Sequence, residues 1–590
     1  MTDPAGNRTK REFDALGRMT VEIEGYSTVP GDTGADTNRR TEYAYDGLDH
    51  QTLVRRVLPN SETRDTLFDY DDLGNLWIIK HPGHTTANHQ AYSDTYNYNY
   101  LGEATNHTTR GGPQHAYTHD ALGRTVSDSV SFGRVDLIER DVLSRTFRFD
   151  VMGRLTSATS WAIPGDSQPE NVRNEVQRRY DGFGHVIAEY QEPNGVVNTS
   201  STLAVRYNYT YSGGAPRLSR IIYPATDAQF AAGQARSLWY GYEGADAVVG
   251  RPTWIADDQD GENQILEGYQ YLGLATPVSR SRPLDDSTST QLTQTFANGG
   301  WDRFGQVTDY QWTLTGSGAI EHLQYWYDAN SNLLTRKNNV LSEFSEIYHQ
   351  NGPSTQPAYD KLNEIKNYSR GPVIGTTDSG RPFVVAPVSD DDSWGTSDEG
   401  KNQRISQPDD VRARPVFPGA FTDGDLMERL QDWSDQNDDA EPVEALAARF
   451  DGWGNLTKVQ EFDIDWGFFT DTATKRLERI FSYDALDRRT GETLGAAGST
   501  LYVDLAGNVL EDRKWGQNTS QYVWSPATGE LVLRDRDTDN NPGTGQATLP
   551  AGVDQRLYVI YDGQGSVSAI TDHAGSVVER YFYSPEGQLL

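Results

Sequence analysis

The sequence predicts an all-β protein: β-hairpins of one repeated kind, joined edge to edge into a long antiparallel sheet. Three observations carry that prediction. An aromatic-Asp-x-x-Gly-(Arg/Asn)-apolar motif recurs along the chain, from "FDALGRMT" at Phe13 to "YDGQGSVS" at Tyr561. Around the copies the sequence alternates, as in "YNYTYSG" (Tyr207 to Gly213) and "RYFYSP" (Arg580 to Pro585), the period-2 pattern of a strand with one buried face. The composition agrees: 32 Tyr, 19 Phe and 13 Trp stand beside 56 Gly in a chain only 36% hydrophobic, which suits short strands and tight turns.

Each motif position has a physical reason. Aspartate at the first position of a type I turn accepts backbone N–H groups from the residues after it, and two permissive positions follow. Glycine then supplies the left-handed conformation from which the strand resumes with a bulge. The well-formed pairs are Asp14 with Gly17, Asp71 with Gly74, Asp120 with Gly123, Asp150 with Gly153 and Asp181 with Gly184. Asp302 with Gly305, Asp451 with Gly454 and Asp562 with Gly565 complete them. Looser copies begin at Asp46, Asp328, Asp360, Asp484 and Asp504, and degenerate ones at Tyr98 and Tyr269. Asp14 and Asp46 lie 32 residues apart, Asp46 and Asp71 25, Asp150 and Asp181 31. So short a period signals units that lean on their neighbours, and its looseness fits hairpins of unequal length. The ring before each aspartate is expected to pack on the equivalent ring or aliphatic of the next hairpin, a pair worth roughly 0.5–1 kcal/mol. Phe149 of "FDVMGRLT" is the test position.

The net charge of -33 opposes binding to nucleic acid and to anionic lipid surfaces. With no cysteine, a disulfide framework, a thiol nucleophile and a zinc-thiolate cluster are excluded, so packing alone must hold a secreted form together. No apolar run approaches the ~20 residues of a membrane span, and "MTDPAGNRTKREFDALGR" is not a signal peptide.

The motif lapses between Asp360 and Asp451, dividing the chain into a repeat region over 1–368, an acidic Pro/Gly-rich insertion over 369–449 and a second repeat region over 450–590. Two short amphipathic helices are expected in the insertion, one carrying Leu426, Leu430 and Trp433, the other Val443, Leu446 and Ala447 after Pro442.

So many aspartates invite a glycosidase-like carboxylate pair. That chemistry needs two carboxylates in differing environments, whereas these sit in near-identical turns, so no catalytic residue is assigned. "RDRDTDNNPGTGQ" sets Asp535, Asp537, Asp539 and Asn541 at alternating positions, the ligand spacing of a calcium loop. Glycine is missing where Asn540 stands and a bidentate glutamate where Gln546 stands, so a solvated acidic loop is the competing reading. His81, His84 and His89 in "HPGHTTANH" lack the fourth ligand a zinc site needs.

The repeats resemble the YD repeats of Rhs proteins and their relatives, the teneurins and the bacterial toxin-complex shells. The stretch "YDGQGSVSAITDHAGSVVERYFYSPEG" (Tyr561 to Gly587) resembles the Rhs-associated core segment. The resemblance implies a sheet that spirals into a hollow shell, secreted or displayed on a bacterial surface, which encloses a toxic C-terminal effector polypeptide. In other members it implies adhesion to surface glycans. The family's Asp-Pro-x-Gly cleavage element does not follow this stretch, and the chain reads on to Gly587-Gln588-Leu589-Leu590. Self-cleavage is therefore not carried over.

Overall fold

The computed structural model describes residues 1–2, 8–28, 38–58, 62–85, 92–110, 113–132, 140–165, 168–211, 216–257, 265–273, 276–284, 290–296, 300–302, 304–327 and 331–348. It further describes 369–370, 373–376, 382–385, 416–418, 444–465, 472–495, 497–514, 517–538 and 554–583. Almost everything described is strand. The chain divides into two compact units, residues 1–136 with 324–411 and residues 137–323 with 412–590.

In the first unit ten strands, from Lys10–Phe13 to Thr125–Phe132, follow one another in sequence, each antiparallel to the next. Most of their side chains are half-buried, and few aliphatics such as Val21, Ile23, Ile78 and Val130 are fully covered.

The second unit contains two such ladders. One runs from Ser144–Phe149 to Asp309–Leu314, the other from Glu444–Phe450 to Val577–Arg580. Antiparallel hairpins explain the order, because short turns can join only neighbouring antiparallel strands. Among the described residues the sheets remain open and do not close into barrels. Here lies the main core, with Ile222, Tyr223, Leu238, Ile255, Leu292 and Trp312 from one ladder and Val523, Val532, Leu533 and Ile560 from the other.

One expected helix is corrected. Glu444–Phe450 is a strand, paired antiparallel to Leu456–Asp465. Its sequence "EALAARF" favours helix intrinsically, but the partner strand and the Asp451 turn override so weak a preference. The other expected helix, with Leu426, Leu430 and Trp433, lies outside the described residues.

Candidate functional site

The "FDVMGRLT" turn shows how each motif residue is used. Asp150 Oδ1 accepts the N–H groups of Met152 and Arg154, both at 2.9 Å, while Oδ2 accepts Arg154 Nε at 2.7 Å. Gly153 N–H donates to the Asp150 carbonyl at 3.0 Å, and a bulge falls between Arg148 and Phe149. Gly153 sits at φ 83°, where a Cβ is penalised. The turns at Asp14, Asp71, Asp120, Asp181, Asp302, Asp451 and Asp562 repeat the two backbone bonds to Oδ1. Gly17, Gly74, Gly123, Gly184, Gly305, Gly454 and Gly565 all take positive φ. Asp49 and Asp487 fill the glycine position in the left-handed region, which aspartate tolerates better than other side chains.

At Tyr45, Tyr70 and Tyr180 the ring before the aspartate packs on a polar side chain of the preceding turn. The residue after the turn's left-handed position covers it: Arg18 lies 4.9 Å over Tyr45, His50 stacks on Tyr70 at 4.5 Å, and Arg154 lies 4.5 Å over Tyr180. The tyrosine hydroxyl then donates to a carbonyl of the earlier hairpin, Tyr45 to Met19, Tyr70 to Gln51 and Tyr180 to Leu155. A buried phenol needs such an acceptor, which explains why tyrosine is so common at this position. Arg154 also donates to the Asp181 carbonyl at 3.2 Å, so one guanidinium ties two consecutive turns together. Phe149 has no hydroxyl to offer and is half-buried.

Turns of the second ladder seat on the first ladder of the same unit. Asn174 donates to the Tyr483 carbonyl at 2.9 Å, Arg488 pairs with Glu189 at 2.7 Å, and Gln191 brackets Val503 by accepting its N–H and donating to its carbonyl. Leu505 N–H donates to the Tyr207 hydroxyl at 3.1 Å. The turn Asp572-His573-Ala574-Gly575 carries the same hydrogen bonds, yet it escapes a motif search because Thr571, not an aromatic residue, precedes it. A Cβ on Gly575 would meet Leu314 at 2.6 Å and Leu284 at 2.9 Å. Gly153→Val is therefore expected to cost about 1–2 kcal/mol through φ alone, and Gly575→Val distinctly more because overpacking adds to strain. Urea unfolding of both variants checks that order.

Between these ladders runs a seam of buried charge. Arg236 grips Asp257 at 2.8 and 3.0 Å and reaches Asp535 at 3.1 Å, while Arg556 grips Asp535 at 2.7 and 2.9 Å. Arg282 and Glu267, both 0% exposed, pair at 2.8 Å beneath Trp312. Burial pushes the Asp257 and Glu267 carboxyls up, but the facing guanidinium groups overcome it and hold both below the ordinary carboxylate range. Glu511 and Asp512 are the reverse case, with burial raising them beyond what their arginine and lysine neighbours offset.

Asp535, the first residue of the calcium pattern, thus has its carboxylate held by two arginines. A cation there would have to break that pairing. Asp537 lies just beyond the strand Leu531–Arg536, and Asp539 and Asn541 lie outside the described residues. Chelation is expected to leave the melting temperature unmoved; a shift that vanishes in Asp537→Ala would establish a calcium loop. His81 pairs with Asp94 at 2.7 Å, and His89 lies outside the described residues. Among the described residues no group of acidic and imidazole side chains forms a metal cluster.

One concavity of about 670 Å³ opens in the second unit, where the Asp181 turn meets the strands Val172–Tyr180, Val186–Glu192 and Ala204–Thr210 and the short helix Asp227–Ala231. Phe183, at the tip of the turn, leans on Tyr211 with ring centres 4.8 Å apart. The Tyr211 hydroxyl is fixed by the Asp181 carboxylate, which pushes its pKa up to about 12. On the same lining, Asp227 Oδ1 accepts the Tyr190 hydroxyl at 2.9 Å and an Arg206 N–H. Arg179 lies 4.8 Å over the Tyr190 ring and Arg206 4.8 Å over Phe230.

Comparison with solved structures gives a likeness in fold. The chain aligns over its full length with the structure described as TcdB2-TccC3-Cdc42, at a TM-score of 0.50 and 12% identity. It aligns over 99% of its length with the Photorhabdus luminescens Tc holotoxin pore carrying a TccC3 substitution, at 0.49 and 12%. It spans about a third of those chains, 31% and 30%. At such identity the likeness is one of fold. No family model and no curated protein matches the sequence. Among the described residues no helix is long and apolar enough to cross a membrane.

Proposed function

We propose that this chain is a wall segment of an Rhs-type β-shell, secreted or surface-displayed by a bacterium, whose work is structural rather than catalytic: to carry a C-terminal effector polypeptide. The observation that carries the reading is the seating of one ladder's turns on the other ladder within the second unit. A wall must grow in two directions, along a sheet and from one layer to the next, and the motif serves both. Within a layer, Arg154 and its equivalents tie turn to turn. Between layers, Asn174, Gln191, Tyr207 and Glu189 receive the turns of the ladder above. The likeness in fold to the TcdB2-TccC3-Cdc42 structure supports the same reading.

The exposed turn tips fit it too. Leu16, Leu48, Leu73, Leu101 and Leu122 stand at the same turn position in five consecutive hairpins of the first unit, each 74–78% exposed. In the second unit the corresponding Trp453 is covered by the Arg145 guanidinium at 3.9 Å.

Proteolysis of the natural full-length gene product tests the carrier role. A C-terminal polypeptide that survives protease under native conditions and is digested after mild denaturation is the expected result. A tail digested at the same rate in both states would overturn the reading.

A further inference from the structure

We propose that the concavity between the Asp181 turn and the helix Asp227–Ala231 is a binding site for the pyranose ring of a neutral sugar. The proposal is independent of the carrier role. The pocket falls within the ~300–1,000 Å³ of small-molecule sites, and its lining is divided in a way that a sugar matches. Phe183 is 77% exposed, and Tyr211 and Phe230 are also partly open to solvent, so aromatic surface is available at the site. The C–H face of a pyranose stacks on such rings.

The polar groups are equally specific. Asp227 Oδ1 is occupied by Tyr190 and Arg206, which orient the carboxylate, but among the described residues Oδ2 has no partner, and the side chain is 45% exposed. Arg179 makes no ion pair among the described residues and holds its guanidinium against the Tyr190 ring. An open acceptor and an open donor fork in one concavity suit vicinal hydroxyls, each of which both donates and accepts.

Charge selects among ligands. Two arginines and two aspartates line the site, so neither an anion nor a cation is favoured, and the net charge of -33 repels acidic glycans at long range. An aromatic peptide side chain could fill the space, but it would bury Asp227 Oδ2 and the Arg179 donors without partners, which is costly.

Saturation-transfer NMR and calorimetry with the methyl glycosides of glucose, galactose, mannose and N-acetylglucosamine test this on the intact chain. At least one should bind, and Phe183→Ala and Arg179→Leu should each weaken it about tenfold. Both side chains are exposed, and an unchanged melting temperature will show that each variant is folded. Three results would overturn the proposal: no binding of any of the four at roughly 50 mM, binding that survives both substitutions, or tighter binding of N-acetylneuraminic acid than of the neutral sugars.

Discussion

Glu267→Ala is expected to destabilise the second unit by about 3–5 kcal/mol, because it leaves the Arg282 guanidinium buried without its carboxylate. Arg282 lies at the meeting of the two ladders. It receives Glu267 from its own ladder, presses on Trp312 at 4.5 Å, and donates to the Val559 carbonyl of the facing ladder at 2.5 Å. The double variant Glu267→Leu with Arg282→Met should recover most of the loss, since a buried pair contributes little net stability over apolar residues of similar volume. Urea unfolding of the two variants checks both halves of the prediction, and equal losses would contradict it.

Acid is expected to open the same seam. Asp257 and Glu267 are held below the ordinary carboxylate range when folded. Their contribution is fully present above the unfolded value of about 4 and is lost as pH falls through the folded values. Glu511 and Asp512 have the opposite sign: raised when folded, they cost stability once pH exceeds the unfolded value. Glu511→Gln should therefore raise the melting temperature at pH 7, with an effect that fades by about pH 4. Wild-type unfolding followed from pH 7 to pH 2 should show its main loss below about pH 4. Stability that is flat over that range would refute the account of the seam.

Much of the architecture is legible in the residues themselves. "FDVMGRLT" and its copies state the turn, because Asp-x-x-Gly leaves few other ways for the chain to go. The alternation between copies states the strands. What the motif hides is its second use. Nothing local to Tyr180 says that its hydroxyl donates to the Leu155 carbonyl, or that Arg154 covers its ring, because both contacts reach across some 25 residues of chain. The seam is hidden for the same reason. Asp535 and Arg236 lie about 300 positions apart in sequence, so a spacing rule reads Asp535 with Asp537 as a loop and misses the arginines. Glu444–Phe450 shows the converse case, a helix-prone heptapeptide made into strand by its neighbour.

The seating of ladder on ladder is tested most directly by amide hydrogen exchange at two equivalent turn positions. Val151 and Leu505 each follow the aspartate of a motif turn, Asp150 and Asp504. The Val151 side chain is fully exposed, whereas Leu505 N–H donates to Tyr207 of the ladder beneath. Leu505 is predicted to exchange at least ~100-fold more slowly than Val151, with the difference largely lost in Tyr207→Phe. Equal rates at the two positions in the wild-type protein would contradict the stacked-ladder wall.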